Sequence, residues 1–368
     1  MGEIELQAAL KSFARRARPK ARSIRRAAVV MTLVLILGYI AFWFIVAASV
    51  ERRVVEWTEA RRAEGLEITH GGIATGGFPF TIELKIAEPV ITRVGDSRVS
   101  WTAPDLVLAA PPWSLARIKW RAPGRHVFAG AVDATPLTLT ATGLEGWAEA
   151  SSGGIQRWEA WLTGGALTRG GAEPVSVRAL LIQYLPRAED LRADPPRRPL
   201  SIDTTGLALP EEEAKQNPLA QIMGSEIGRL TLDLSLVGPI AKAPWPGPAL
   251  GWRDAGGVLE IKSFGLSYGP LNLAGEGTAT IDRDGQPIGA FFAKITGYAE
   301  TVEAFRTASV IDRDAAASIQ VVLGVLARGP AGGPKHLEAP LTVQDRTVSL
   351  GPLKLFRLKP VDWFRPNP

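Results

Sequence analysis

Thr81-Ile82-Glu83-Leu84-Lys85-Ile86 alternates strictly between polar and apolar side chains. Successive residues of a strand point to opposite faces of a sheet, so Ile82, Leu84 and Ile86 share one face and Thr81, Glu83 and Lys85 the other. This is the pattern of a strand in an antiparallel sheet with one face buried and one wet. The same signature recurs at residues 136–140, 230–236, 258–262 and 346–350. Turn chemistry separates these runs, at Gly71-Gly72, Gly76-Gly77, Gly95-Asp96, Gly153-Gly154, Gly170-Gly171, Gly256-Gly257 and Asp284-Gly285. With 38 glycines and 28 prolines the chain favours many short elements over a few long helices. The expected fold is mainly β (α+β): an elongated, curved antiparallel sheet with a few capping helices.

Upstream of the strands the sequence changes character. Ala27 to Val50 runs 24 residues without a charge, roughly 36 Å of helix, enough to cross a hydrocarbon core of about 30 Å. Residues 1–26 carry eight Lys or Arg against two Glu, a balance of +6, so the whole-chain charge of +5 leaves −1 for everything that follows. The body therefore lacks a basic footprint, and no nucleic-acid partner is expected. The basic tail predicts a cytoplasmic N-terminus, because Arg52, Arg53, Arg61 and Arg62 on the other side are fewer and interspersed with Glu51, Glu56, Glu59 and Glu64. The apolar run exceeds the 7–15 residues of a signal-peptide core, which favours a retained anchor in the inner membrane over cleavage near Ala48. Glu51 to Glu64 contains no Gly or Pro, so the helix is expected to continue as a stalk (51–65) that ends at Gly65 and lifts the following domain off the bilayer.

Helical periodicity reappears at Ala299–Thr307 and at Ala315–Arg328, where Ile319, Val322, Leu323 and Leu326 repeat at helical spacing. A third helical stretch, Glu211–Ile227, is interrupted by Pro218. The charged, proline-rich segment 187–199 reads as a linker or loop between an N-terminal β half (66–186) and a C-terminal half (200–368).

Catalytic machinery is not visible. Gly265-Leu266-Ser267-Tyr268-Gly269 matches a nucleophile elbow in letters only, because Pro270 follows at once and β alternation resumes where the elbow needs a helix. His70, His126 and His336 are widely separated, and the absence of cysteine removes thiolate metal sites, redox motifs and disulfides. No phosphate-binding loop is present. The expectation is a protein that is not an enzyme and holds no cofactor or metal.

Aromatic and proline residues punctuate the N-terminal half. Gly77-Phe78-Pro79-Phe80 leads into the Ile82 strand after Ile68-Thr69-His70-Gly71-Gly72; Trp101-Thr102-Ala103-Pro104 and Pro111-Pro112-Trp113 follow. With Asp284-Gly285-Gln286-Pro287 and Ala293-Lys294-Ile295-Thr296-Gly297, these segments resemble an uncharacterised, largely alphaproteobacterial family of membrane-anchored envelope proteins, classed as a domain of unknown function. The resemblance covers nearly all of the chain beyond the anchor. The strands ending in Gly-Pro-Leu and the closing pair around Val348 to Leu358 are more distantly similar to AsmA-like envelope proteins. The charge bias predicts that residues 51–368 lie in the periplasm of a Gram-negative cell, and the likeness to AsmA-like proteins implies a long curved sheet with an apolar groove used in lipid traffic or outer-membrane maintenance. Gly77, Phe78, Pro79, Phe80, Trp101, Pro104 and Trp113 are expected to be structural, with Phe78 and Phe80 as core anchors behind a turn set by Gly77 and Pro79.

Two functions fit this reading. In one, an apolar face that includes Ile82, Leu84, Ile86, Leu137 and Leu139 accepts lipid acyl chains. In the other, the same face is closed by helices and the domain is an envelope scaffold that binds proteins.

Overall fold

The computed structural model describes residues 21–93, 99–130, 135–151, 154–240, 247–329, 336–351 and 353–361. Most of the basic tail and the turn positions Gly95, Asp96 and Gly153 lie outside the described residues.

The described chain opens with one helix, α1 (Ala21–Ala63). No proline interrupts it, and the hydroxyls of Thr32, Ser49 and Thr58 donate back to the carbonyls of Ala28, Val46 and Val54, so they leave no bare polar group on its surface. It stops where Gly65 adopts φ +83°, the left-handed conformation that favours glycine. Among the described residues it is the one helix long and apolar enough to cross a membrane, and it fits a single-pass anchor.

The strands that follow build one antiparallel sheet of 20 strands. The first nine are β1 (Leu66–Thr69), β2 (Gly72–Gly76), β3 (Ile82–Ala87), β4 (Val90–Arg93), β5 (Val99–Thr102), β6 (Asp105–Ala110), β7 (Arg117–Arg121), β8 (Gly124–Ala129) and β9 (Leu137–Ser151). β9 is the junction. Its first half pairs with β8, as in Leu139 opposite His126, and its second half pairs with β7, as in Gly146 opposite Trp120. Two branches leave it: β8, β5, β4, β1 on one side and β7, β6, β3, β2 on the other. Gly146 suits the junction because a Cβ there would lie 2.1 Å from the carbonyl oxygen of Glu159 and 2.8 Å from the Trp120 ring.

On its other edge β9 pairs with β10 (Gly154–Arg169), and from there the sheet runs in simple hairpin order. The succession is β11 (Val175–Tyr184), α2 (Ala188–Arg192), β12 (Arg197–Ala208), α3 (Glu211–Gln216), α4 (Pro218–Met223), β13 (Glu226–Val237), α5 (Gly247–Asp254), β14 (Val258–Tyr268), β15 (Leu271–Ile281) and β16 (Pro287–Thr296). It closes with α6 (Tyr298–Thr307), α7 (Arg313–Leu326), β17 (Ala327–Arg328), β18 (His336–Gln344), β19 (Thr347–Leu350) and β20 (Leu353–Arg357). Within 187–199, residues 197–199 already belong to β12 and the rest join it to β11; the two strands pair directly, so one sheet runs through both halves.

The helical stretch around Pro218 is two short helices. Pro218 is the first residue of α4, where its missing N–H is not needed, and Asn217 Oδ1 accepts from the backbone N–H groups of Leu219 and Ala220. α6 and α7 coincide with the two C-terminal helical patches. Asp312 caps α7 by accepting from Ala315 N at 2.7 Å. Val302, Ala316 and Leu323 of this pair pack on Ala293, Ile295, Leu337, Ala339 and Leu350 of β16, β18 and β19, the main core of the C-terminal half.

Candidate functional site

β3 is built as its alternation dictates. Glu83 and Lys85 face outward, toward Arg121 at 3.5 Å and Asp105 at 3.0 Å. Ile82, Leu84 and Ile86 face inward and line an apolar cleft of about 580 Å³. The cleft lies between the two branches of the sheet. Ile68, Ile91 and Trp101 come from the β1, β4, β5 branch; Ile73, Leu106, Leu108 and Ile118 come from β2, β6 and β7 beside β3. α1 supplies the third wall with Val50, Val54, Trp57 and Thr58. Arg53 and His70 also line it, but both are exposed, as are Trp57 and Ile155, so the cleft opens to its surroundings on that side. Its volume lies within the roughly 300–1,000 Å³ typical of small-molecule sites, and its lining is almost wholly hydrocarbon.

The five residues expected on one groove face are therefore divided. Ile82, Leu84 and Ile86 come together in the cleft, whereas Leu137 and Leu139 lie on β9 opposite Phe128 and His126 and do not line it. The alternation of β9 matches that of β3, but β9 is the strand from which the branches part. The signal that sequence reasoning missed is the run Val50, Val54, Trp57, read as stalk and found as the third wall.

The helix packs directly on the sheet. Its contact with the sheet begins inside the uncharged run, where Tyr39 donates its hydroxyl to Pro79 O and Trp43 Nε1 donates to Thr81 O at 2.9 Å. Trp43 is only 4% exposed and, with Ala47, Ile82, Val46, Val50 and Leu115, forms a small core between helix and sheet. Further along α1, Glu51 accepts from Thr75 Oγ1 at 2.6 Å and Arg62 donates to Ile68 O at 3.1 Å, which ties the helix to β2 and β1.

The aromatic and proline segments divide as well. Gly77 holds φ +92° and its carbonyl accepts from both the N–H and the hydroxyl of Thr81, each at 3.0 Å, closing a tight loop. A Cβ on Gly77 would lie 2.6 Å from Thr81 Oγ1. Within that loop Phe78 is 49% and Phe80 71% exposed, so neither is a core anchor. Thr81 N–H and Tyr39 hold the backbone in a form that turns both rings outward, toward α1 and beyond. Trp113, in the β6–β7 loop, is 63% exposed. Trp101 lines the cleft and also bonds His126, and Pro104 packs within the sheet. Pro104 O accepts from Glu88 N at 2.7 Å, and the proline ring packs where Gly124 leaves room for it.

Trp101 also explains His126, which is 1% exposed. The His126 Nε2–H donates to Ala122 O at 2.7 Å, because a carbonyl only accepts, and Nδ1 accepts from Trp101 Nε1 at 3.3 Å. Both ring nitrogens are occupied, which makes this histidine a brace of the β5–β8 pair. His126→Leu is expected to lower stability by about 2 kcal/mol or more, since it strands a buried N–H and a buried carbonyl; chemical denaturation of the full chain measures it.

Hydrogen bonds from Lys215 and Arg306 hold the Glu211 and Glu303 carboxyls below their usual range, and burial raises Tyr268, but none of the three lines the cleft. Among the described residues no three His, Asp or Glu side chains cluster to hold a metal ion. Ser267 sits in the β14–β15 hairpin and donates to Asn272 Oδ1 at 2.8 Å, in place of a catalytic base.

A bacterial family profile matches residues 43–359, from the docked tryptophan of α1 almost to the end of the described chain. The chain belongs to that family, "Uncharacterized protein conserved in bacteria (DUF2125)". No curated protein and no solved structure matches it. The matched span takes in the second half of α1, with Val50, Val54 and Trp57 of the cleft wall, the branched sheet and the C-terminal helices.

Proposed function

We propose that this DUF2125 protein is an inner-membrane-anchored periplasmic protein of Gram-negative cells whose cleft binds or passes lipid acyl chains in envelope maintenance, without catalysis. The observation that carries the proposal is the cleft itself, about 580 Å³ lined by Ile73, Leu84, Ile86, Leu106 and Val54, with its third wall formed by the helix that is long and apolar enough to cross a membrane. The excess of basic residues before Ala27 supports the orientation, and the hydrocarbon lining of the cleft supports the ligand class. An acyl chain that moves from bilayer hydrocarbon into such a cleft exchanges one apolar medium for another, so neither direction meets a large barrier from exposed apolar surface. A site of this kind suits passage as well as storage.

A photoreactive benzophenone amino acid placed at Leu106 tests the reading in intact cells. Irradiation is expected to give an adduct with the mass of a phospholipid, lost when Ile73→Trp fills the cleft and absent when the probe sits at Val310 on the exposed α6–α7 connection. Adducts at Leu106 that contain only protein would overturn the lipid assignment and put the scaffold function in its place.

A further inference from the structure

The loops at residues 77–81 and 111–116 are uncharged, and each displays large apolar side chains. They leave the same end of the β3–β6 ladder, where Ile82 pairs with Ala110. Phe78, Phe80 and Trp113 are the exposed aromatics at this end, and Phe78 packs edge-on against Trp43 at 5.4 Å and stacks on Phe44 at 6.3 Å.

The length of α1 decides what covers them. Between Ala27, the first residue of the uncharged run, and Tyr39, the first to bond the sheet domain, lie only 12 helical steps, roughly 18 Å at 1.5 Å per residue. A hydrocarbon core is about 30 Å thick. Trp43 is roughly 24 Å from Ala27 on the same measure. The helix cannot finish crossing before it meets the sheet, so the loop bonded to Tyr39 and Trp43 shares their depth. We infer that the tip carrying Phe78, Phe80 and Trp113 is inserted in the sheet-side leaflet of the same bilayer that holds α1.

The backbone of the tip is prepared for this. Irregular chain in hydrocarbon is costly unless its polar groups are satisfied. Here Tyr39 bonds Pro79 O, Trp43 bonds Thr81 O, Thr81 bonds Gly77 O, and Pro79 has no N–H to satisfy. Aromatic rings at the apolar–polar boundary are the usual interfacial anchors. Ile82 and Leu115, at the base of the tip, also line the cleft, so insertion sets the cleft beside the acyl chains. The inference rests on the membrane anchor and not on what occupies the cleft.

The chain has no cysteine, so single-cysteine variants need no prior engineering. Full-length Phe80→Cys, Trp113→Cys and Glu189→Cys, each labelled with an environment-sensitive fluorophore, are reconstituted in phosphatidylcholine–phosphatidylglycerol vesicles. All three positions are exposed, so the fold tolerates the labels. Phospholipid carrying a nitroxide on its acyl chain is expected to quench labels at 80 and 113 at least twofold more than at 189, and aqueous iodide to show the reverse order. Equal iodide quenching at 80 and 189 in protein that stays with the vesicles through a carbonate wash would overturn the inference while leaving the anchor intact. Release by the wash would overturn the anchor and the inference together.

Discussion

Leu84→Asp is expected to destabilise the protein by on the order of 4 kcal/mol or more, a large part of the 5–15 kcal/mol that holds a typical domain folded. Leu84 is 2% exposed at the centre of β3, flanked by Thr75 on β2 and Leu108 on β6. The aspartate would lose the leucine's packing and present a carboxylate to Ile73, Ile86 and Leu106. The charged or titratable side chains of the cleft lining, Arg53 and His70, are exposed and lie toward its open side. Leu84→Met keeps volume and apolarity and is expected to cost less than about 1.5 kcal/mol. Denaturant unfolding of the detergent-solubilised chain, followed by the near-ultraviolet signal of its tryptophans, separates the two. A cost under about 1 kcal/mol for the aspartate would show that this face of β3 is not buried.

Trp43→Ala carries the second large effect, expected at roughly 3–5 kcal/mol because a buried tryptophan is removed from a small core. Its site of action is specific: the change unpins α1 from the Gly77–Thr81 loop and from Ile82 at the start of β3. Hydrogen exchange should rise in the amides of β3 and of the loop while the α6–α7 core keeps its protection. Trp43→Phe retains most of the ring contact with Phe78 but leaves Thr81 O without its donor, a loss of about 1 kcal/mol. Leu37→Ala, on a residue that is 63% exposed and outside the docked stretch, should leave exchange in β3 unchanged. Unaltered protection of β3 in Trp43→Ala would show that helix and sheet are independent bodies.

Local chemistry was legible wherever one face of one element decided the outcome. The Ile82-Leu84-Ile86 alternation describes β3 correctly because its outer residues meet water and ion pairs while its inner ones meet hydrocarbon. Pro218 and Asn217 mark a helix boundary because one lacks a donor and the other supplies an acceptor. Phe78 and Phe80 were not legible: an apolar ring beside a Gly-Pro turn is buried in most settings, and here the helix that holds the loop turns both rings outward. Leu137 and Leu139 show the same limit, since alternation assigns a residue to a face of its strand without saying what that face meets.

By itself, then, the sequence determined the long apolar helix, the alternating strands and the C-terminal helices, because each depends on neighbours within a few residues. The tertiary structure alone decided that β9 divides the sheet into two branches, that α1 closes the space between them, and that Tyr39 and Trp43 bind the domain inside the apolar run. Those features depend on pairings between strands far apart in the chain and on the register of a helix against them, which side-chain period does not encode.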